Sequence, residues 1–87
     1  MNDYPFLTTA IKNILTRKRE GLKLSKRKLS ELAQLERVYI IQLEQGTKRP
    51  TLNAIFYLCE ALQISPNEFI KEVEIEIKRL KEELDKK

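Results

Sequence analysis

The sequence predicts an all-α fold, and three observations carry that prediction. Two glycines and three prolines cannot supply the many tight turns of a sandwich or barrel. Hydrophobic residues make up 41% of the chain, too large a share for disorder even with 34% of residues charged. Apolar positions recur at spacings of three and four along most of the length, the period of a helix face. At 87 residues the chain has room for one small domain with at most an appended helix.

A first helix is expected from about Pro5 to Glu20. Pro5 suits a first turn, Leu7, Ile11, Ile14, Leu15 and Leu22 follow at roughly helical spacing, and Gly21 closes it. Ser25 caps a short second helix whose Leu29, Leu32 and Ala33 form one buried face. After Gln34 and Leu35, a third helix runs from about Glu36 to Gln45, buries Ile40 and Leu43 and stops at Gly46. Thr51 caps a fourth, with Leu52, Ile55, Leu58, Cys59 and Leu62 as its inward stripe. Cys59 reads there as core, not as a redox group. Ser65-Pro66-Asn67-Glu68 has the capping-box pattern with proline in the first turn, and opens a fifth helix. Ile70, Val73, Ile77, Leu80 and Leu84 then recur at three and four, so the Lys- and Glu-rich end reads as helix and not as a disordered tail.

Composition removes several functions. With no histidine and a single cysteine, zinc fingers, disulfide frameworks, Cys–His or Ser–His nucleophilic pairs and dithiol redox motifs are excluded. The longest apolar runs, Val38 to Ile41 and Ala54 to Cys59, fall far short of the ~20 residues that cross a bilayer. The opening MNDYPFLTT lacks a basic start followed by an apolar stretch, so a cytoplasmic, reduced protein is expected. Charge is uneven. Lys12 to Arg49 carries 11 bases and four acids, whereas Ser65 to Lys87 has six bases and seven acids. That distribution suggests a polyanion partner for the body of the chain, although a solvated surface would read the same.

The stretch LSKRKLSELAQLERVYIIQLEQG, Leu24 to Gly46, places two short helices around a very short turn. This is the spacing of a helix-turn-helix, whose second helix is narrow enough for the major groove. The start of the second helix supports it physically. Lys26, Arg27 and Lys28 follow the Ser25 cap, where the helix dipole makes exposed cations cost ~0.3–1 kcal/mol each. Basic side chains beside unpaired amides make sense if a phosphate docks there.

The sequence resembles the Cro and phage-repressor family of helix-turn-helix regulators, the xenobiotic-response-element type. Leu24, Leu29, Leu32, Ala33, Leu35, Ile40, Leu43, Glu44, Gly46, Pro50, Leu62 and Ile64 carry the resemblance, which spans about Leu7 to Phe69. It implies a five-helix lambda-repressor-like DNA-binding domain over 1–68. Residues 69–87 follow as a continuous C-terminal amphipathic helix that serves dimerisation. It further implies that Glu36, Arg37, Val38 and Gln42 point into the groove. Gln42 suits adenine and Arg37 suits guanine or a phosphate; Glu36 either accepts from cytosine or caps the helix. Val38 and Ile41 suit thymine methyls, with the alternative that Ile41 packs inward. Ser25, Lys26, Arg27, Tyr39, Thr47, Lys48 and Arg49 are the implied phosphate contacts, Thr47 through its hydroxyl or amide. Glu44 reads as a structural hydrogen-bonding residue, and Arg17, Lys18 and Arg19 either flank DNA or form a solvated face. Two departures stand out: Lys26 replaces a usual glutamine, and Gln34 replaces the usual turn glycine, so it must adopt a left-handed conformation at a cost of roughly 1 kcal/mol.

One module of this size buries too little surface for tight specific binding, so a homodimer on paired half-sites is expected. Phe56 and Tyr57, off the buried stripe, lie beside the family's usual dimer surface. In the last helix Ile70, Ile77 and Leu84 fit heptad position a and Val73 and Leu80 position d, with Glu76 opposite a partner's Lys81 in a parallel pair. Alternatively Phe69, Ile70 and Val73 close the domain's own core and leave Ile77, Leu80 and Leu84 to a partner; the two arrangements can hold in succession along the helix. The expected protein is a non-enzymatic DNA-binding transcriptional regulator reading a palindromic operator, a repressor or autoregulator. Its expected partners are double-stranded DNA and a second copy of itself, with no membrane, cofactor, metal or small-molecule ligand. Stand-alone proteins like it include restriction–modification controllers, phage or plasmid repressors and antitoxin-like autoregulators. The rival is a helical protein-interaction module whose last helix pairs with another protein.

Overall fold

Five helices, α1 (Leu7–Gly21), α2 (Lys26–Ala33), α3 (Arg37–Gln45), α4 (Leu52–Leu62) and α5 (Pro66–Asp85), make up the computed structural model, which describes residues 2–86 and holds no strand among them. The Ser25, Thr51 and Ser65 hydroxyls cap α2, α4 and α5, accepting from the amides of Lys28, Ala54 and Glu68 at 2.9, 3.0 and 3.2 Å. Each helix turns an apolar face inward. Ala10, Ile14, Leu15, Leu29, Ala33, Ile40, Leu43, Leu58, Cys59 and Phe69 are at most 1% exposed and form one core. Burial pushes the Cys59 thiol up to about 11, leaving it an inert apolar filler.

Two expectations about the ends of α1 and one about inward faces need correction. Pro5 and Phe6 form a turn before α1, closed by the Leu7 amide on the Tyr4 carbonyl at 2.9 Å, with Phe6 left-handed at φ 66°. At the other end Gly21 remains helical, and the left-handed residue is Lys23 at φ 59°, whose amide donates to Glu20. Leu22, Leu32 and Leu52 are 43%, 46% and 70% exposed, so none belongs to the core face expected of it. Leu52 starts α4 at the position where the chain has not yet turned inward.

Gln34 is left-handed at φ 57°, ψ 39°, between α2 and α3, as the tight turn demands. The Leu35 amide closes it on the Ser30 carbonyl at 3.0 Å. A β-carbon is disfavoured in that conformation, so Gln34→Gly will raise stability by about 1 kcal/mol, or roughly 4–8 °C in a domain of this size. Thermal unfolding of the two proteins checks this; a fall would mean that the glutamine side chain stabilises the turn.

Helix α5 does not stand apart. It runs antiparallel to α1: Lys18 pairs with Glu72 at 2.7 Å, Asn13 donates to Glu76 at 2.8 Å, and the Lys81 ammonium lies 5.4 Å from the centre of the Tyr4 ring. Phe69 and Val73 are core residues, and Ile77 and Leu80 pack against them. Among the described residues, no helix is long and apolar enough to cross a membrane. Met1 and Lys87, the outer limits of the two expected segments, lie outside the described residues.

Candidate nucleic-acid interface

The centre of the site is α3, held from behind and bare in front. Ile40, Leu43 and Glu44 are buried along one side. On a 3.6-residue period, Arg37, Val38, Ile41, Gln42 and Gln45 fall on the other side. Arg37, Val38 and Gln45 are exposed, Val38 at 60%, while Ile41 and Gln42 are half-buried at its margin. Ile41 thus sits between its two expected positions. Glu36 occupies the cap position, but its side chain makes no capping bond; only its carbonyl serves the helix, accepting from Tyr39 and Ile40. The carboxylate stays exposed at the front of the helix.

A buried ion pair locks α3 onto α1. Arg19 Nε donates to Glu44 Oε2 at 2.7 Å and Nη2 to Oε1 at 2.9 Å, while Thr16 Oγ1 adds a bond of 3.2 Å. Arg19 Nη1 reaches the Leu24 carbonyl at 2.7 Å, which ties the start of the α2 segment into the same clamp. The two side chains are only 11% and 3% exposed. Hydrogen bonding to Glu44 holds the Arg19 guanidinium above its ordinary value. Glu44 is therefore a structural residue, and Arg19 is its partner instead of part of a solvated face.

The first turn of α2 lies at one end of this arrangement. Its Lys26 and Arg27 amides precede any intrahelical acceptor, and no acid occupies the turn. The Ser25 hydroxyl accepts from Lys28 and keeps its own proton to donate. Beyond α3, Lys48 and Arg49 are exposed. Arg49 Nη1 meets Asp3 Oδ1 at 3.1 Å; that carboxylate also accepts from the Thr8 hydroxyl and amide, which hold it below its ordinary range. Tyr39 packs its ring against the core and accepts from the Thr51 amide at 3.3 Å, leaving the hydroxyl proton free. Thr47 requires correction. Its amide and hydroxyl both donate to the Gln42 carbonyl, at 3.0 and 3.1 Å, so it closes the end of α3 and has no donor left for a phosphate.

Two short helices at this spacing, with the second exposed along its outer face, match a helix-turn-helix family profile over residues 15–69. The chain belongs to the Cro/C1-type helix-turn-helix family. Among solved structures, this helix-turn-helix protein is similar to the clp gene regulator ClgR of Corynebacterium glutamicum, at 23% identity and TM-score 0.86, over 95% of this chain and 88% of that one. The restriction–modification controller protein C.AhdI of Aeromonas hydrophila is 32% identical with TM-score 0.69, over 76% and 98%. A mutant of the controller protein C.Esp1396I is 19% identical with TM-score 0.78, over 88% and 95%. No curated protein gives a significant sequence match.

The expected dimer residues of this helix-turn-helix protein divide in two. Phe56 and Tyr57 stand out from α4 at 57% and 41% exposure, next to Leu52. Val73 is corrected: at 3% exposure it belongs to the core and offers a partner nothing. Ile77 and Leu80 are half-buried against that core, while Leu84 is open at 58% and Ile70, at 44% exposure, does not close the core as the alternative expected. Nor can Glu76 reach a partner's lysine. It is 3% exposed and bound by Arg79 at 2.9 and 3.0 Å and by Asn13, with Arg17 at 3.7 Å. The heptad reading failed because the same spacing serves packing on α1.

Hydrogen bonds from Arg79, then from Asn13, with the nearby guanidinium charges, hold the Glu76 carboxyl down to about 2. A carboxyl depressed in the folded protein contributes stability in full above its unfolded value, near 4.5, and loses it as pH falls through that value towards 2. With Arg79 half-exposed and screened, about 1–2 kcal/mol is expected to vanish over this interval. Urea unfolding at pH 6 and at pH 2.5 will show the loss in the wild type and a smaller one in Glu76→Gln.

Gln45 is the outward residue that sequence reasoning missed. It lies seven residues after Val38 and three after Gln42, on the same side of α3, and is exposed. That spacing was readable, but Gln45 also sits next to the stop residue Gly46 and reads as helix end.

Proposed function

We propose that this protein is a sequence-specific regulator of transcription that binds double-stranded DNA as a homodimer on a palindromic operator. The observation that carries the reading is the two-sidedness of α3: Ile40, Leu43 and the Glu44 clamp fix it from behind while Arg37, Val38, Ile41, Gln42 and Gln45 are left towards the front. Membership in a helix-turn-helix family supports it, as does likeness to a clp gene regulator and to restriction–modification controllers. Arg37 and Gln42 take the base-reading roles, with Val38 and Ile41 against thymine methyls and Glu36 at the leading edge. Ser25, Lys26 and Arg27 hold one phosphate group of contacts, and Tyr39, Lys48 and Arg49 another, the last after exchanging Asp3 for a phosphate. Pairing runs through Phe56 and Tyr57, with Leu84 as an outlying contact. Repression follows from occupancy alone. The protein acts in the cytoplasm without catalysis, cofactor or small-molecule ligand.

Selection of bound fragments from random duplexes tests this. An enriched palindrome is expected, in which Arg37→Ala and Gln42→Ala each relax one position per half-site, at a cost of about 1–3 kcal/mol. Lys26→Ala should instead weaken all sequences about equally. If no palindrome emerges and affinity for duplex is insensitive to salt, the reading fails in favour of a protein-interaction module.

A further inference from the structure

Behind the α2 first turn lies an open trough of about 630 Å³ that the proposed interface does not use. Its floor is the outer face of α1, carrying Lys12, Thr16 and Arg17; α5 forms one wall with Arg79, and Lys26 stands on the opposite rim. Four further charged residues, Arg19, Glu20, Glu44 and Glu76, complete the lining; Glu44 and Glu76 are buried and already bound by arginines, whereas Glu20 is 66% exposed and lies 3.8 Å from Arg19. What faces solvent is therefore mainly cationic, with Lys12, Arg17, Lys26 and Arg79 against the one exposed acid, Glu20. Lys12 and Lys26 have no carboxylate within 4 Å among the described residues, and Arg17 is 60% exposed with a single 3.7 Å contact to Glu76.

We infer that this trough is a second phosphate track, which holds duplex DNA extending beyond the base pairs read by α3. Lys26 belongs to both surfaces, so a strand seated on the α2 first turn enters the trough without a gap. From Lys12 to Arg19 the floor runs ~10 Å along α1, against one phosphate per ~3.4 Å of axis on each strand. A free nucleotide supplies the same phosphate chemistry but would find nothing to hold its base, since no aromatic or aliphatic side chain lines the trough.

The inference rests on the DNA-binding reading above, and its test is separable from that reading. The selected operator is prepared as a minimal duplex and as one lengthened by about eight base pairs at each end, and affinity is measured against salt. Wild type should bind the long duplex about tenfold more tightly at low salt, with a log–log salt slope steeper by about two. The double variant Lys12→Ala/Arg17→Ala should lose that gain yet bind the minimal duplex within about twofold, and Lys12→Arg/Arg17→Lys should retain the gain. Equal loss on both duplexes in the alanine variant, or no advantage of length in the wild type, overturns the track. So does saturable binding of adenosine triphosphate that the alanine variant abolishes while length has no effect, which would make the trough a seat for small anions. Specific binding of the minimal duplex by wild type stands in all these cases; its absence would sink the DNA-binding reading itself.

Discussion

Glu44→Ala will lower the stability of the domain by about 3 kcal/mol, or some 15 °C in melting temperature. The size follows from what remains. Arg19 would keep the Leu24 carbonyl and a 3.8 Å contact with the exposed Glu20 carboxylate, but with its side chain only 11% exposed a positive charge in the α1–α3 seam would lose both of its bonds to Glu44. Breaking one side of such a pair costs more than deleting both, because desolvation of the survivor is left uncompensated. Arg19→Met/Glu44→Leu is therefore expected to recover most of the loss. Calorimetric melting of the single and double variants measures both numbers. A single-variant cost under about 1 kcal/mol would reclassify the clamp as a surface-type pair of little weight. Operator affinity should fall in Glu44→Ala even at temperatures where it is folded, because the clamp is what sets the angle of α3 to α1.

Phe56→Glu is expected to produce a monomer by sedimentation and to reduce operator affinity by about two to four orders of magnitude, the effective-concentration advantage that two linked modules share. Its melting temperature should move little, since the ring is 57% exposed and makes no part of the core. Substitutions on α5 separate this surface from its rival. Leu80→Glu places a charge against the core cluster and should unfold the domain before it reports on pairing. Leu84→Glu, at an exposed site, should leave mass and affinity nearly unchanged. A sedimentation mass that stays dimeric in Phe56→Glu and drops in Leu84→Glu would move the interface to the end of α5.

Much of this molecule was legible in its residues, because the informative signals are local. Ser25, Thr51 and Ser65 cap as read, Gly46 stops α3 at φ 74°, and Gln34 takes the left-handed turn conformation that its place between two helices requires. The inward residues of α3 and most of those of α4 follow from period alone. What could not be read is which of several neighbours a helix face meets. The α5 pattern of Ile70, Val73, Ile77, Leu80 and Leu84 suits a partner helix and the domain's own core equally, and only tertiary placement assigns Val73, Ile77 and Leu80 to the core while Ile70 and Leu84 stay exposed. Leu52 and Leu32 have the right spacing and the wrong side, since helices of 8 and 11 residues constrain their phase poorly. The structural role of Glu44 was expected, but the partners of the two buried glutamates were hidden for a related reason. Arg19 and Glu44 are separated by 25 residues and Asn13 and Glu76 by 63, distances over which no sequence period connects them. Within the candidate interface, the outward set of α3 followed from the resemblance and the period together. The loss of Thr47 donors to Gln42 depends on backbone geometry at the helix end, which residue type does not reveal.

The Glu76 cluster acts as a key for alignment. Were α5 to shift by one residue along α1, Glu76 would be turned away from Asn13 and Arg17, and Ile75 or Ile77 would be brought towards them. Aliphatic side chains tolerate such sliding, whereas a buried acid, held by Arg79 on its own helix and met by Asn13 and Arg17 from α1, admits one position. The long helix can thus be bonded along its length by interchangeable aliphatic contacts and still be located to the residue, so that a shortened or extended end would leave the rest of the molecule in place.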